Sequence, residues 1–227
     1  MSSLNQVRLS DGTVVEVSEW LHWPLYSTAD FGSADGVNVT LFSYVVGQLV
    51  ARTGTPAART ATERDTNMVR KGKMNQDEAF IVMSIFWEPF GLSDDTSDPA
   101  EATAPLMSAP NLRRLQTQLT YELVIGAGTK KADIELPFSA VPQGVGPRYM
   151  VAGDSAGTNV GTASECDPGA QYLLNLPVPI GGTGERAMPG NSRAFKLRVR
   201  SFTGAVDGLT QNFSGRFWLD GLRERPA

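Results

Sequence analysis

Every regular hydrophobic pattern in this chain repeats at every second residue. Val37, Val39 and Leu41 alternate with Asn38 and Thr40. Leu115, Leu119, Leu123 and Ile125, joined by Tyr121, occupy odd positions with Gln116, Gln118, Thr120 and Glu122 between them. Ile134, Leu136 and Phe138 continue on even positions, and Phe195, Leu197 and Val199 interleave with Lys196, Arg198 and Arg200. Successive side chains of a strand point to opposite faces, so this period predicts half-buried β-strands, whereas amphipathic helices would repeat near 3.6. The chain is expected to be all-β.

The remaining segments fit that frame. Val7 and Leu9, then Asp11-Gly12, then Val15 and Val17 have the alternation and turn chemistry of an opening hairpin. Trp20-Leu21-His22-Trp23-Pro24 reads as a helical turn stopped by Pro24. The run from Val37 through Val46 predicts one long strand, and the Ala/Thr-rich stretch from Arg52 to Arg64 a loop or extended arm. Between Glu78 and Glu88 apolar residues fall on both parities, as in a strand covered on both faces. Ser93 to Pro110 reads as a long surface loop. The strand from Leu115 to Ile125 turns at Gly126-Ala127-Gly128 into a second hairpin. Gln143 to Pro168 reads as a long loop with one brief strand at Tyr149-Met150-Val151. Tyr172, Leu174 and Leu176 predict a strand ended by Pro177 and Pro179, and Phe213 to Leu219 a last one. With 23 glycines and 14 prolines spread along 227 residues, the expectation is a two-sheet antiparallel jelly roll. It would have about eight strands, long loops and an N-terminal hairpin, in a single domain spanning residues 1–227.

Composition narrows function. A net charge of −4 is not that of a general nucleic-acid binder, although a local basic patch remains open. Only five of the 20 basic residues are lysine, and arginine is the cation better suited to planar contacts at interfaces. Cys166 is the only cysteine, which leaves no intrachain disulfide and no cysteine-based zinc site. The amino terminus, Met1 to Gln6, lacks the pattern of a secretion signal, and the mature chain is expected to start there. The most apolar run, Ala79 to Trp87, is about half the length of a membrane-spanning helix.

Gly153-Asp154-Ser155-Ala156-Gly157 fits the Gly-x-Ser-x-Gly nucleophile elbow of hydrolases. An elbow leads from a strand into a helix, yet Thr158 to Thr162 is a poor helix start, and the only histidine, His22, lies far upstream. A glycine-rich loop is the better account, and no enzyme activity is expected. One histidine cannot supply the ligand set of a cupin-like metal centre, so His22 is assigned to packing or surface. Asp94, Asp95, Asp98 and Glu101 could offer oxygens to calcium, but lack the regular spacing and glycine of an EF-hand loop. Lys196, Arg198 and Arg200 project from one strand face and repel one another unless something opposes them. A solvated face is the plain account; acidic residues of a neighbouring subunit, or phosphates of nucleic acid or lipid, are the others.

Several segments together resemble single jelly-roll capsid proteins of small icosahedral bacteriophages, including membrane-containing ones. They are Arg64 to Met74 followed by Glu78 to Val82, the hairpin Tyr121–Gly126 with Ile134–Pro137, and the ending Phe217 to Pro226. The resemblance covers about half the chain in pieces. It implies a structural virion protein, a capsid subunit made in the host cytoplasm that assembles with itself and other virion proteins into a shell. It leaves open contact with a viral membrane or packaged nucleic acid, and implies no cofactor and no small-molecule substrate. Lys196, Arg198 and Arg200 are then the candidate assembly interface. The alternative is a carbohydrate- or receptor-binding β-sandwich module, lectin-like or a phage decoration protein, with Trp20, Trp23 or Trp87 as stacking platforms.

Overall fold

The alternating segments pair antiparallel throughout. The computed structural model describes residues 6–9, 12, 14–16, 18, 20–31, 36–50, 59–75, 78–91, 109–126, 134–140, 147–153, 160–166, 172–181, 194–205 and 213–224. Two main sheets are built from β1 (Leu25–Phe31), β2 (Gly36–Leu41), β3 (Ala79–Gly91), β4 (Leu119–Ile125), β5 (Ile134–Pro137), β6 (Tyr172–Gly181), β7 (Phe195–Ala205) and β8 (Phe213–Glu224). One sheet runs β5-β4-β7-β2 and the other β6-β3-β8-β1. The short strand Trp20–His22 continues along β8 beyond β1. The fold is all-β with antiparallel sheets, apart from the helix α1 (Ala109–Gln118) and a 3-10 turn at Phe138–Ala140.

The pairing is nested. β1 pairs with β8, β2 with β7, β3 with β6 and β4 with β5. The first and third of these rungs fall in one sheet, joined by β8 against β3. The second and fourth fall in the other, joined by β7 against β4.

The two sheets share one core. Leu41, Tyr121, Leu123, Leu197 and Val199 from one sheet meet Leu25, Phe80, Ile85, Trp87, Phe217 and Leu219 from the other. Trp87, fully buried, tilts against Phe138 at 4.6 Å and stacks on Phe217 at 6.0 Å between ring centroids. Such ring pairs add about 1 kcal/mol each beyond area burial. The opening ribbon, Gln6–Arg8 paired with Val14–Glu16, covers the other face of β3, where Leu9 packs on Ile81.

β3 has apolar residues at both parities for a second reason. Its register to β8 shifts between Asp220 and Gly221, so Met83 is an extra residue. Phe80 and Val82 therefore face the shared core before the shift, and Ile85 and Trp87 after it. A β-bulge of this kind flips the inward parity of everything beyond it. Gly221 sits where the bulge closes: a Cβ there would stand 1.9 Å from the Ile81 carbonyl oxygen. Any side chain would push the two central strands apart.

Several sequence expectations are corrected. Trp20–His22 is a strand, not a helical turn, and β1 went unrecognised because Leu25–Phe31 lacks a strong alternation. β2 stops at Leu41, since Phe42 takes φ 60° and leaves the ladder. The odd-position pattern begins in α1, where Leu115 reaches the core, and the strand starts only at Leu119. β4 is buried on both faces, not half-buried. Pro177 and Pro179 do not end β6; they lie on an edge strand, where proline is tolerated, at a break in register to β3. Instead of one brief strand, Pro147–Gly153 and Val160–Cys166 form a hairpin. Residues 52–58 of the expected arm and 93–108 of the acidic loop lie outside the described residues.

Two substitutions check this packing by equilibrium denaturation. Gly221→Ala should lower stability by about 3 kcal/mol, the upper range for overpacking. Tyr121→Phe should raise it by about 1 kcal/mol, because the buried Tyr121 hydroxyl has no hydrogen-bond partner and its removal only relieves desolvation.

Candidate functional site

The basic row on β7 has a partner within its own chain. Phe195, Leu197 and Val199 face the core, so Lys196, Arg198 and Arg200 point to the other side of the sheet. In register across the ladder, Arg198 stands opposite Glu122 of β4. The Glu122 carboxylate is buried; Arg198 Nη2 lies 3.2 Å from Oε2, and Arg200 pairs with Oε1. Glu135 of β5 flanks Glu122 on the far side. One buried carboxylate thus faces two guanidinium groups and lowers their mutual repulsion. Sequence spacing showed three cations in line but could not show the cross-strand acid, which only the β4–β7 register brings up. Arg200 is about half exposed, and Lys196 lies one step further along the row.

The segment from Ala61 to Asn75 closes one edge of the molecule. Thr28 N donates to Asp65 O at 2.8 Å, Tyr26 N to Asn67 Oδ1 at 3.0 Å, and Asn67 Nδ2 to the Pro24 carbonyl at 2.7 Å. These bonds occupy the outer edge of β1, which would otherwise be open to another strand. Asp65 in turn accepts from Thr62 N and Oγ1, a side-chain cap that fixes the turn. At the other end of the segment Gly72 bridges the two strands β2 and β7. Its N–H donates to Phe42 O at 2.7 Å and its carbonyl accepts from Phe195 N at 2.8 Å. With φ +53° and the Phe195 carbonyl 2.9 Å from where a Cβ would stand, the position suits glycine alone. Arg64 to Met74 is therefore an edge clamp.

Other candidates fall out as follows. Ser155 lies outside the described residues, but the segments on both sides of it are antiparallel strands rather than a strand and a helix. His22 Nε2 lies 2.7 Å from Asp220 Oδ1, while Ser84 Oγ is 3.4 Å from Asp220 Oδ2. The carboxylate stands between hydroxyl and imidazole, so the imidazole is not placed to take the serine proton. Asp94, Asp95, Asp98 and Glu101 lie outside the described residues, and among the described ones no cluster of three metal-ligating side chains occurs. Of the tryptophans offered as stacking platforms, Trp87 is core, Trp20 packs beneath the opening ribbon, and Trp23 is partly exposed with the Arg223 guanidinium 5.4 Å above its ring. Burial also pushes the Tyr121 phenol well above its ordinary ionisation range, and that of Tyr26 upward more weakly.

Comparison of the chain with protein families, curated proteins and solved structures finds no match.

Removing the acid from the β4–β7 cluster should leave two guanidinium groups facing each other across a covered surface. Glu122→Ala is expected to cost about 3 kcal/mol by chemical denaturation, at the low end for broken buried pairs because the arginines are partly open to water. An unchanged midpoint would show the pairs to be energetically idle.

Proposed function

We propose that this protein is a structural virion protein: a jelly-roll capsid subunit that assembles with copies of itself into an icosahedral shell. The observation that carries the reading is the nested pairing, first strand with eighth through fourth with fifth, split alternately between two sheets. A long antiparallel ribbon rolled onto itself has this order, and eight-stranded rolls of that kind serve as viral capsid domains. The three segments that resemble phage capsid proteins fall on the parts that define the roll: the edge clamp, the β4–β5 rung and the inner strand β8. In this reading the protein works by burying self-complementary surface, in the virion, after synthesis in the host cytoplasm, with no cofactor and no small substrate. Lectin-like modules share the architecture, but the tryptophans that would stack on a sugar are engaged elsewhere.

Purified protein at rising concentration should form capsomer-sized oligomers or particles, seen by light scattering and negative-stain imaging. Specific association needs about 1,000 Å² of buried surface or more, which one face of such a sandwich can supply. Lys196→Glu is the charge reversal to pair with it, since Arg198 and Arg200 hold Glu122 and reversing them would attack the fold. It should slow or misdirect assembly in sedimentation velocity while the monomer stays folded. A wild-type chain that remains monomeric at high concentration, even with the other virion proteins present, would refute the reading.

A further inference from the structure

We infer that the end of the sandwich bearing the Val69–Lys73 loop is a docking surface for an anionic lipid bilayer. At this end β1, β3 and β7 begin and β2 and β8 finish, so the loop stands at a tip rather than on a sheet face. Arg70, Lys71 and Lys73 are all exposed there. Arg198, Arg200, Arg216 and Arg223 each hold a carboxylate, whereas no acid among the described residues pairs with these three. Three unpaired cations side by side in a chain of net charge −4 form a local positive field.

Apolar side chains stand among them. Val69 is 73% exposed and, with Trp23, Arg70 and Lys73, lines one shallow depression. Leu49, 74% exposed, lines a second one with Lys71. The loop is held rigid by Gly72, clamped between the carbonyl of Phe42 and the N–H of Phe195, so these groups are displayed without an ordering cost on binding.

The mixture selects the partner. A nucleic acid would meet the cations but gain nothing from Val69 or Leu49, and Arg223 covers one face of the Trp23 ring. The interfacial layer of a bilayer accepts both kinds of group at once: aliphatic side chains enter the headgroup boundary, and lysine and arginine pair with anionic phosphates around them. The surface would lie on the membrane, not span it. The inference stands on this loop alone and does not require the chain to form a shell.

The test is sedimentation of the purified full chain with vesicles of phosphatidylcholine containing 30% phosphatidylglycerol, against vesicles of phosphatidylcholine alone. Binding is expected to the first, weakly or not at all to the second, and to fall with added salt. Each cation near an anionic surface contributes roughly a fivefold gain in partitioning, so Arg70→Gln with Lys71→Gln and Lys73→Gln should reduce binding on the order of a hundredfold. Val69→Ser should weaken the binding that persists at high salt. Circular dichroism melting must be unchanged in both variants, as expected for exposed loop positions. Equal binding by wild type and the triple variant would overturn the inference. So would wild-type binding to single-stranded DNA but not to anionic vesicles, which would make the loop a nucleic-acid surface, or binding to neither.

Discussion

The structure depends on the contact between β3 and β8, eleven registered residue pairs at the centre of one sheet with a single bulge between them. Each strand has a further partner on its other side, β6 against β3 and β1 against β8, so the whole sheet is indexed to this pair. A slip of one residue would send every inward side chain outward. Because the bulge adds Met83 to β3 alone, only one alignment places Phe80 and Val82 together with Ile85 and Trp87 on the core side. Gly221 makes that alignment possible, since the Ile81 carbonyl occupies the space a side chain would need.

What the sequence made legible was what depends on one strand at a time. β3, β4 with β5, β7 and β8 announce themselves by alternation or unbroken apolarity, and the opening ribbon by Asp11-Gly12. What stayed hidden depends on pairs of strands. Leu25–Phe31 carries Ser27, Thr28 and Asp30 and looks like a loop, yet Ser27 is buried because its hydroxyl accepts the Phe42 N–H at 2.9 Å between the two sheets. Leu115 kept an odd-numbered pattern by coincidence, since one helical turn can bring it to the same core as the strand that follows. The bulge could have been suspected from the change of parity within Ala79–Trp87, but that same pattern is what a strand covered on both faces produces, and here both causes act together.

The same limit governs the charged residues. Lys196, Arg198 and Arg200 looked like a patch seeking a partner because their spacing along β7 was visible and Glu122 was not. Arg216 repeats the lesson on the second sheet: it pairs with Glu88 at 3.3 Å and lies 5.6 Å from the rings of both Tyr26 and Trp218. Arginine's planar group can serve a carboxylate and aromatic faces together, so part of the arginine-rich composition serves internal cross-strand contacts.

How the edges are finished bears on how copies of this chain could meet. An exposed strand edge is a template for another strand, and growth along it would give fibres rather than closed shells. The outer edge of β1 is occupied by Asp65 and Asn67, β6 carries Pro177 and Pro179, and β5 is only four residues long. Each device removes or shortens a run of free N–H groups. In the proposed assembly, association would thereby be steered away from strand addition and toward contacts between side chains on sheet faces and loops, where the angle between neighbours is set by shape and charge. The proposed closed shell would require that angle to be fixed, and an edge clamp built from Asp65, Asn67 and Gly72 is compatible with this, since it protects the edge and holds the adjoining loop in one conformation.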